Sequence, residues 1–193
     1  IEHALDLLRG LGLEPRICGS RDDLARFAPV IRDHHPGCGP LAGVEAALSI
    51  SDTDLNLFVP VDLPLLPAGF LRWMVERAVA THAVATVPLF AGRPQPLSAI
   101  YSRRLLQGIQ SALAGGNFRM MTAVAPAAAS LDEPIDTFHV ESIAAALIPE
   151  AWPARPAVQD WFRNVNTPGD YEELLSHLEQ NPFHPISCLQ EAT

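Results

Sequence analysis

The sequence predicts an α/β layered fold with a mainly parallel sheet, and three observations predict it. Short apolar runs alternate along the chain with longer segments of helical periodicity. Residues 55–61 (LNLFVPV) are mostly apolar, the pattern of a strand covered on both faces, as parallel sheets require. Residues 67–81 carry Phe70, Leu71, Met74, Val75 and Ala78 at the spacing of one buried helical stripe.

The chain opens inside a helical pattern, with Ile1, Leu5 and Leu8 on one face, and Gly10 and Gly12 close it. Residues 15–18 and 29–33 read as short strands, with one or two helical turns at 21–27 between them. The loop 34–39 (HHPGCG) is dense in helix breakers. Pro40 suits a first helical turn, and Leu41, Val44, Ala47 and Leu48 give that helix its apolar face. Strand 55–61 follows and ends at Asp62. After helix 67–81, strands at 83–88 and 97–101 flank the loop 90–96. Helix 103–113 stops at Gly115-Gly116, a helix is expected at 118–124, and a strand at 135–140. Residues 148–157 hold three prolines and read as a loop. Residues 161–166 return to strand or turn. A last helix runs to Leu178 from Thr167 as N-cap and Pro168 as first residue.

A length of 193 residues allows one domain, taken as residues 1–180, with a patternless tail at 181–193. The formal charge is −9, and all 13 basic residues are arginine, which argues against nucleic acid or an anionic membrane as partner. No apolar run approaches the ~20 residues that span a bilayer. Cys18, Cys38 and Cys188 are odd in number and never spaced as CxxC, so neither a disulfide framework nor a zinc knuckle is implied, and a reducing, cytoplasmic setting is expected. The helical start at Ile1, without strand or cap before it, reads as the remainder of a longer protein.

In parallel sheets, ligands sit beyond the carboxyl ends of the strands, and that rule selects Cys18-Gly19, residues 33–39 and Asp62 as one rim. Asp62 is the sharpest candidate. A lone carboxylate after an apolar run, followed by Leu-Pro-Leu-Leu-Pro, suits Mg²⁺, which takes one or two protein carboxylates and fills its shell with water and phosphate oxygens. Capping its own turn is the competing role. Gly39-Pro40-Leu41 offers a glycine that lets a ligand approach and a helix N-terminus that favours anions. His34, His35 and Cys38 are metal-ligand types without a fourth partner at suitable spacing. Arg93 and Gln95 stand in a Pro-rich loop suited to an anionic or planar substrate, and Arg119 suits a bidentate phosphate contact. Asn164 and Asn166 alternate along a short extended segment, so their amides share a side and suit a heterocycle's donor–acceptor edge. No Ser/His/Asp triad has a nucleophile-elbow context.

The order Asp33, GPLAGVEAAL (39–48), LFVPVDLPLLP (57–67), GRPQPLSAIYSRRLL (92–106), FRMM (118–121) and FRNVNTPGDYEEL (162–174) resembles the molybdenum cofactor guanylyltransferases, the MobA-like members of the nucleotidyltransferase superfamily. The resemblance implies a Rossmann-like three-layer α/β/α sandwich of nucleotidyltransferase type that transfers GMP from GTP to molybdopterin and releases pyrophosphate. It implies that Asp62 is the catalytic, Mg²⁺-holding aspartate. Cys18, Asp33, Gly39, Pro40, Leu41 and Asp62 would line the nucleotide site, and Arg93, Gln95, Arg119, Asn164 and Asn166 the molybdopterin site. GTP and molybdopterin are then the small-molecule partners, with transient contact to proteins of the molybdenum cofactor pathway.

Two departures matter. The family opens with a strand and a glycine-rich loop, L-A-G-G-x-x-x-R-M-G, followed by a Lys; neither loop nor any Lys is present, which reads as a missing N-terminal segment. Cys18-Gly19-Ser20 stands where an Asn often contacts the nucleotide, and Val61 and Leu63 flank Asp62 where Cys and Thr are common. A cytidylyltransferase or another small-molecule nucleotidyltransferase on the same scaffold, and a non-catalytic nucleotide- or cofactor-binding module, are the alternatives.

Overall fold

A computed structural model describes residues 1–146 and 157–180. In chain order the elements are α1 (Glu2–Gly10), β1 (Ile17–Cys18), β2 (Val30–Ile31), α2 (Pro40–Ile50), β3 (Leu55–Leu57), α3 (Ala68–Thr81) and β4 (Ala85–Phe90). They continue as β5 (Arg93–Pro94), β6 (Ile100–Ser102), α4 (Leu106–Ala114), α5 (Met120–Ser130), β7 (Ile135–His139), α6 (Val140–Ala146) and α7 (Pro168–Gln180). Short 3₁₀ turns at Asp22–Arg26, Arg103–Leu105 and Val158–Asp160 fill connections. The 3₁₀ turn at Asp22–Arg26 replaces the helical turns expected at 21–27. The helix expected from Arg103 begins as 3₁₀ because Ser102 Oγ accepts the Arg104 N–H and fixes a tight first turn. The loop expected at 148–157 lies, but for Ala157, outside the described residues, as does the tail 181–193.

The sheet is mixed, which corrects the expectation of a mainly parallel one. Five strands follow the order β3-β6-β4-β5, with β7 on the other side of β4, while β1 and β2 form a separate parallel pair. β4 and β7 are parallel; β3–β6, β6–β4 and β4–β5 are antiparallel. The physical reason lies at Ala91 and Gly92. Both have positive φ, 47° and 71°, so the chain reverses in a two-residue hairpin of the primed type that matches strand twist. The returning arm continues down the same edge of β4, through Gln95 N–H to Pro88 O at 2.8 Å, into β6. A strand that returns through a tight turn is antiparallel of necessity; parallel neighbours need a crossover of a dozen or more residues. Arg93 and Pro94 consequently lie in β5 rather than in a loop.

The strand expected over 55–61 stops at Leu57. Phe58 N–H still reaches Ala99 O at 2.8 Å, but Pro60 has no donor to continue the ladder. Nor is it covered on both faces: Leu55, Asn56 and Leu57 are half-buried, because among the described residues β3 pairs with β6 alone.

Side chains alternate across the sheet and divide the core in two. Tyr101 of β6, and Ala99 just before it, face a cluster built from α2, α4 and α5, whereas Ile100 and Phe138 face Phe70, Leu71 and Met74 of α3. Helices on both faces give three layers, α/β/α. Arg77 of α3 ties its layer to β7: its guanidinium meets both Asp136 oxygens, at 2.6 and 2.7 Å, and lies over the rings of Trp73 and Phe138.

α4 and α5 pack closely at Gly108. A Cβ there would stand 2.4 Å from Ala127 Cβ and 2.8 Å from Ala127 Cα, a collision with backbone that no rotamer relieves. Gly108→Ala is therefore expected to destabilise the protein by about 1–3 kcal/mol despite alanine's better helix propensity. Urea unfolding of the variant, with an unchanged m-value, checks this.

Candidate functional site

Chain direction gathers the candidate residues at one end of the sheet. Leu57, Ile100, Thr86 and Asp136 stand level across β3, β6, β4 and β7. Beyond that line the chain leads from β3 to Asp62 and from β4 to the hairpin that bears Arg93 and Gln95. α2 runs back from the end of β2 to the start of β3, so β1 and β2 present Cys18 and Asp33 to this side as well. α4 departs from the opposite end and α5 returns to it, which leaves Arg119, at the α5 N-terminus, on the Asp62 side.

Cys18, Asp33 and the start of α2 form one cluster. Gly39 enters the helix with φ 69°, a conformation that favours glycine, and Pro40 takes the first position. No side chain caps this N-terminus, so its first amides have no side-chain acceptor and favour an anion. Gly43, one turn in, lets the rim close up: a Cβ there would lie 3.3 Å from Cys18 Cβ and 3.5 Å from Asp33 Oδ1. Asp33 Oδ1 is buried and has no hydrogen-bond partner among the described residues. Cys18 keeps solvent contact as a residue, yet burial around its sulfur pushes the thiol up to about 11, and the Asp33 charge adds to the shift. It therefore offers a weak S–H donor and no thiolate.

Asp62 belongs to a second cluster. It sits in the turn after the irregular stretch 58–60, five residues past the last residue of β3, rather than at the strand end. No hydrogen bond or ion pair among the described residues engages its carboxylate, so the competing role as a turn cap finds no partner there. Its backbone carbonyl accepts the Val165 N–H at 2.8 Å. Asn164 and Asn166, both exposed, flank that bond and are thereby held beside Asp62.

Residues 161–166 form no strand. Aromatic packing fixes them instead: Trp161 is buried 5.3 Å from Phe70, and Phe162 stacks on Phe90 with ring centres 4.9 Å apart. Downstream, Thr167 Oγ1 accepts the Asp170 N–H at 3.2 Å, and Asp170 Oδ2 accepts the N–H groups of Asn166 and Thr167, both at 2.9 Å. This reciprocal cap starts α7 and clamps Asn166.

Arg93 and Arg119 are exposed, and no described ion pair or side-chain hydrogen bond holds either guanidinium. Gln95 Nε2 reaches only the Arg93 carbonyl, at 3.4 Å. Arg93, Gln95 and Arg119 thus share the Asp62 end, while no described hydrogen bond joins them to either cluster. Among the described residues no group of three His, Cys, Asp or Glu side chains is arranged to hold a metal, and His34, His35 and Cys38 are no exception. His34 turns to Glu45 instead. Glu45 and the Val165–Asp62 bond are absent from the sequence reading. A visible signal for the first is a carboxylate placed within the apolar stripe of Leu41, Val44 and Leu48; a backbone bond between remote segments leaves none.

The two amides that Asp170 accepts hold its carboxyl below the usual carboxylate range. A pKa lowered on folding contributes stability that is complete above the unfolded value and lost as pH falls through the folded one. The stability gap between the native protein and Asp170→Asn should accordingly narrow once pH drops below 3.8. Thermal melts of both proteins at stepped pH check this; a gap constant to pH 2 contradicts it.

Comparison with known proteins agrees with this geometry. The family profile described as "MobA-like NTP transferase domain" matches residues 1–130. A probable molybdenum cofactor guanylyltransferase of Carboxydothermus hydrogenoformans is 31% identical over 176 residues, covering 91% of this chain and 81% of that protein. One from Bacillus mycoides is 30% identical, covering 92% and 83%. Among solved structures, the molybdopterin-guanine dinucleotide biosynthesis protein A of Archaeoglobus fulgidus superposes with a TM-score of 0.70 at 18% identity, covering 93% of this chain and 85% of its own. The 2-C-methyl-D-erythritol 4-phosphate cytidylyltransferase of Thermus thermophilus shares the fold more distantly, with a TM-score of 0.54 at 18% identity, covering 91% and 88%. With its three-layer fold, its mixed sheet and the family match over residues 1–130, the chain belongs to the MobA-like NTP transferase family of enzymes.

Proposed function

We propose that this protein transfers GMP from GTP to molybdopterin with release of pyrophosphate, in a Mg²⁺-dependent reaction. The observation that carries the reading is Asp62: an unengaged carboxylate on the ligand side of the sheet, with the two-asparagine segment bound to its backbone. The names of the relatives from Carboxydothermus hydrogenoformans and Bacillus mycoides support the choice of substrates.

Asp62 fits Mg²⁺ as its single protein carboxylate, the phosphates and water supplying the other oxygens. Held there by Asp62, the ion would supply charge neutralisation as Lewis acid and template. The residues of the chain supply position. Asp33 and the N–H groups of Gly39 and Leu41 line the nucleotide side together with the Pro40 ring, which has no N–H to offer, and Cys18 stands at its edge. Asn164 and Asn166 present amides to the pterin, and Arg93, Gln95 and Arg119 receive its phosphate and ring edge. An oxygen of the molybdopterin phosphate attacks the α-phosphorus of GTP in line. The new P–O bond forms as the bond to the β-phosphate breaks, and pyrophosphate carries away the electron pair. No general base is required, since a phosphate nucleophile is already anionic, and positioning does most of the catalysis.

Among the described residues the edge of β3 away from β6 has no partner strand, and β1 and β2 stand apart from the five-stranded sheet. The product passes to proteins of the molybdenum cofactor pathway by transient contact, in a cytoplasmic setting. Among the described residues no helix is long and apolar enough to cross a membrane.

Asp62→Asn, made in the full-length protein, should cut turnover by roughly 100-fold or more, the loss expected when several kcal/mol of metal-borne charge stabilisation disappears. Circular dichroism and melting should be unchanged. Wild-type turnover at limiting Mg²⁺ would remove the metal role. Base choice is read separately, by pyrophosphate release with GTP against CTP in the presence of molybdopterin. GTP should be preferred; a CTP preference would assign a cytidylyltransferase, and release with neither a binding module.

A further inference from the structure

Glu45 is a carboxylate that the proposed reaction does not use, yet it is among the most deeply buried polar side chains of the protein. Its side chain is 2% exposed, in the middle of α2, where a free carboxylate would be costly. Both oxygens are engaged. Oε1 accepts Gln110 Nε2 of α4 at 2.8 Å, and Oε2 lies 2.9 Å from His34 Nδ1. Since a carboxylate only accepts, Nδ1 is the donor.

His34 directly follows Asp33. Between β2 and α2 the loop has few tethers of its own. Cys38 N–H reaches His35 O at 3.2 Å, the Cys38 side chain packs against the first core cluster, and Gly37 and Gly39 both have positive φ. Asp33 Oδ1 is buried beside Gly43 and, among the described residues, has no hydrogen-bond partner. The carboxylate expected to meet the nucleotide is thus left unengaged, and the residue after it fixes the loop to α2.

We infer that Glu45 is a positioning residue for the nucleotide site, acting through His34 to fix where Asp33 stands. The inference rests on the reading of Asp33 as a nucleotide contact. Gln110 supplies the second bond that keeps the Glu45 carboxylate oriented, so the chain of support runs from α4 through α2 to the rim.

The test uses the full-length protein and the variants His34→Ala, Glu45→Leu and Glu45→Gln. His34 is 51% exposed, so water takes the place of its ring, and His34→Ala should melt within a few degrees of wild type. Hydrogen bonds to a charged group contribute enough to move an equilibrium by about tenfold or more. His34→Ala and Glu45→Leu should therefore each raise KM for the preferred nucleotide by about tenfold, with KM for molybdopterin within about twofold. Glu45→Gln, which keeps an acceptor for Nδ1, should stay near wild type, and the double variant should be no worse than Glu45→Leu alone. An unchanged nucleotide KM in His34→Ala overturns the inference. So does a parallel rise of both KM values with loss of thermal stability, the mark of a purely structural role. Amide hydrogen exchange decides the anchor without turnover. The peptide spanning 32–39 should exchange about tenfold faster in both disruptive variants, while β4 and β7 stay protected. If wild type turned over neither GTP nor CTP, the nucleotide reading alone would fail; an unaltered exchange rate at 32–39 would overturn the inference in either case.

Discussion

One backbone hydrogen bond, from Val165 N–H to the Asp62 carbonyl, joins the two segments that make up the Asp62 cluster of the candidate site. It links segments about a hundred positions apart in sequence, and neither belongs to a strand or helix. Its geometry is therefore set by what holds each side. On one side the chain runs beside β6 as far as Phe58 and then turns at Pro60, which cannot donate. On the other, Trp161 and Phe162 are fixed against Phe70 and Phe90, and the Thr167–Asp170 cap holds the exit. Aromatic packing contributes both burial and preferred ring geometry, so an irregular segment can be kept in place without a ladder. The outcome is an acidic side chain whose position is determined while its oxygens stay unengaged.

Separation of anchoring from chemistry recurs at the other cluster. Gly43 permits close approach of Cys18 and Asp33, and the adjacent residue, His34, is bound to the helix interior. In both places the backbone or a neighbour takes the structural task. Groups held in place in this way act without reorganising when a ligand arrives.

The fold was legible in the sequence at the level of layers but not of strand direction. Helical stripes such as that of Phe70, Leu71 and Met74 are strong periodic signals, and all three are buried as their spacing implies. Residues 97–101 carried no sign of direction, because the hairpin that reverses the chain has Ala rather than Asn or Asp at its first position, with φ 47°. Strand 55–61 was overextended for a related reason: apolar character marks burial, whereas Pro60 marks where pairing must end. For the site, residue chemistry drew attention to Asp62, Asp33 and the asparagine pair, and the chain brings Asp62 and the pair together. What holds them there was illegible, since Val165 takes part through its main chain and Glu45 through a contact to a loop eleven residues earlier.

Among the described residues one side of β3 has no partner strand, and this carries a consequence for how the polypeptide behaves outside the reaction. Its residues Leu55, Asn56 and Leu57 are half-buried, and an edge of that kind, wherever nothing pairs with it, is a template on which strands of separate molecules zip together. The acidic exterior, at −9, opposes close approach in dilute buffer, but that repulsion fades within about 8–10 Å at ordinary salt. Solubility then hangs on whatever caps three residues at a margin, and not on the much larger charged surface that surrounds them.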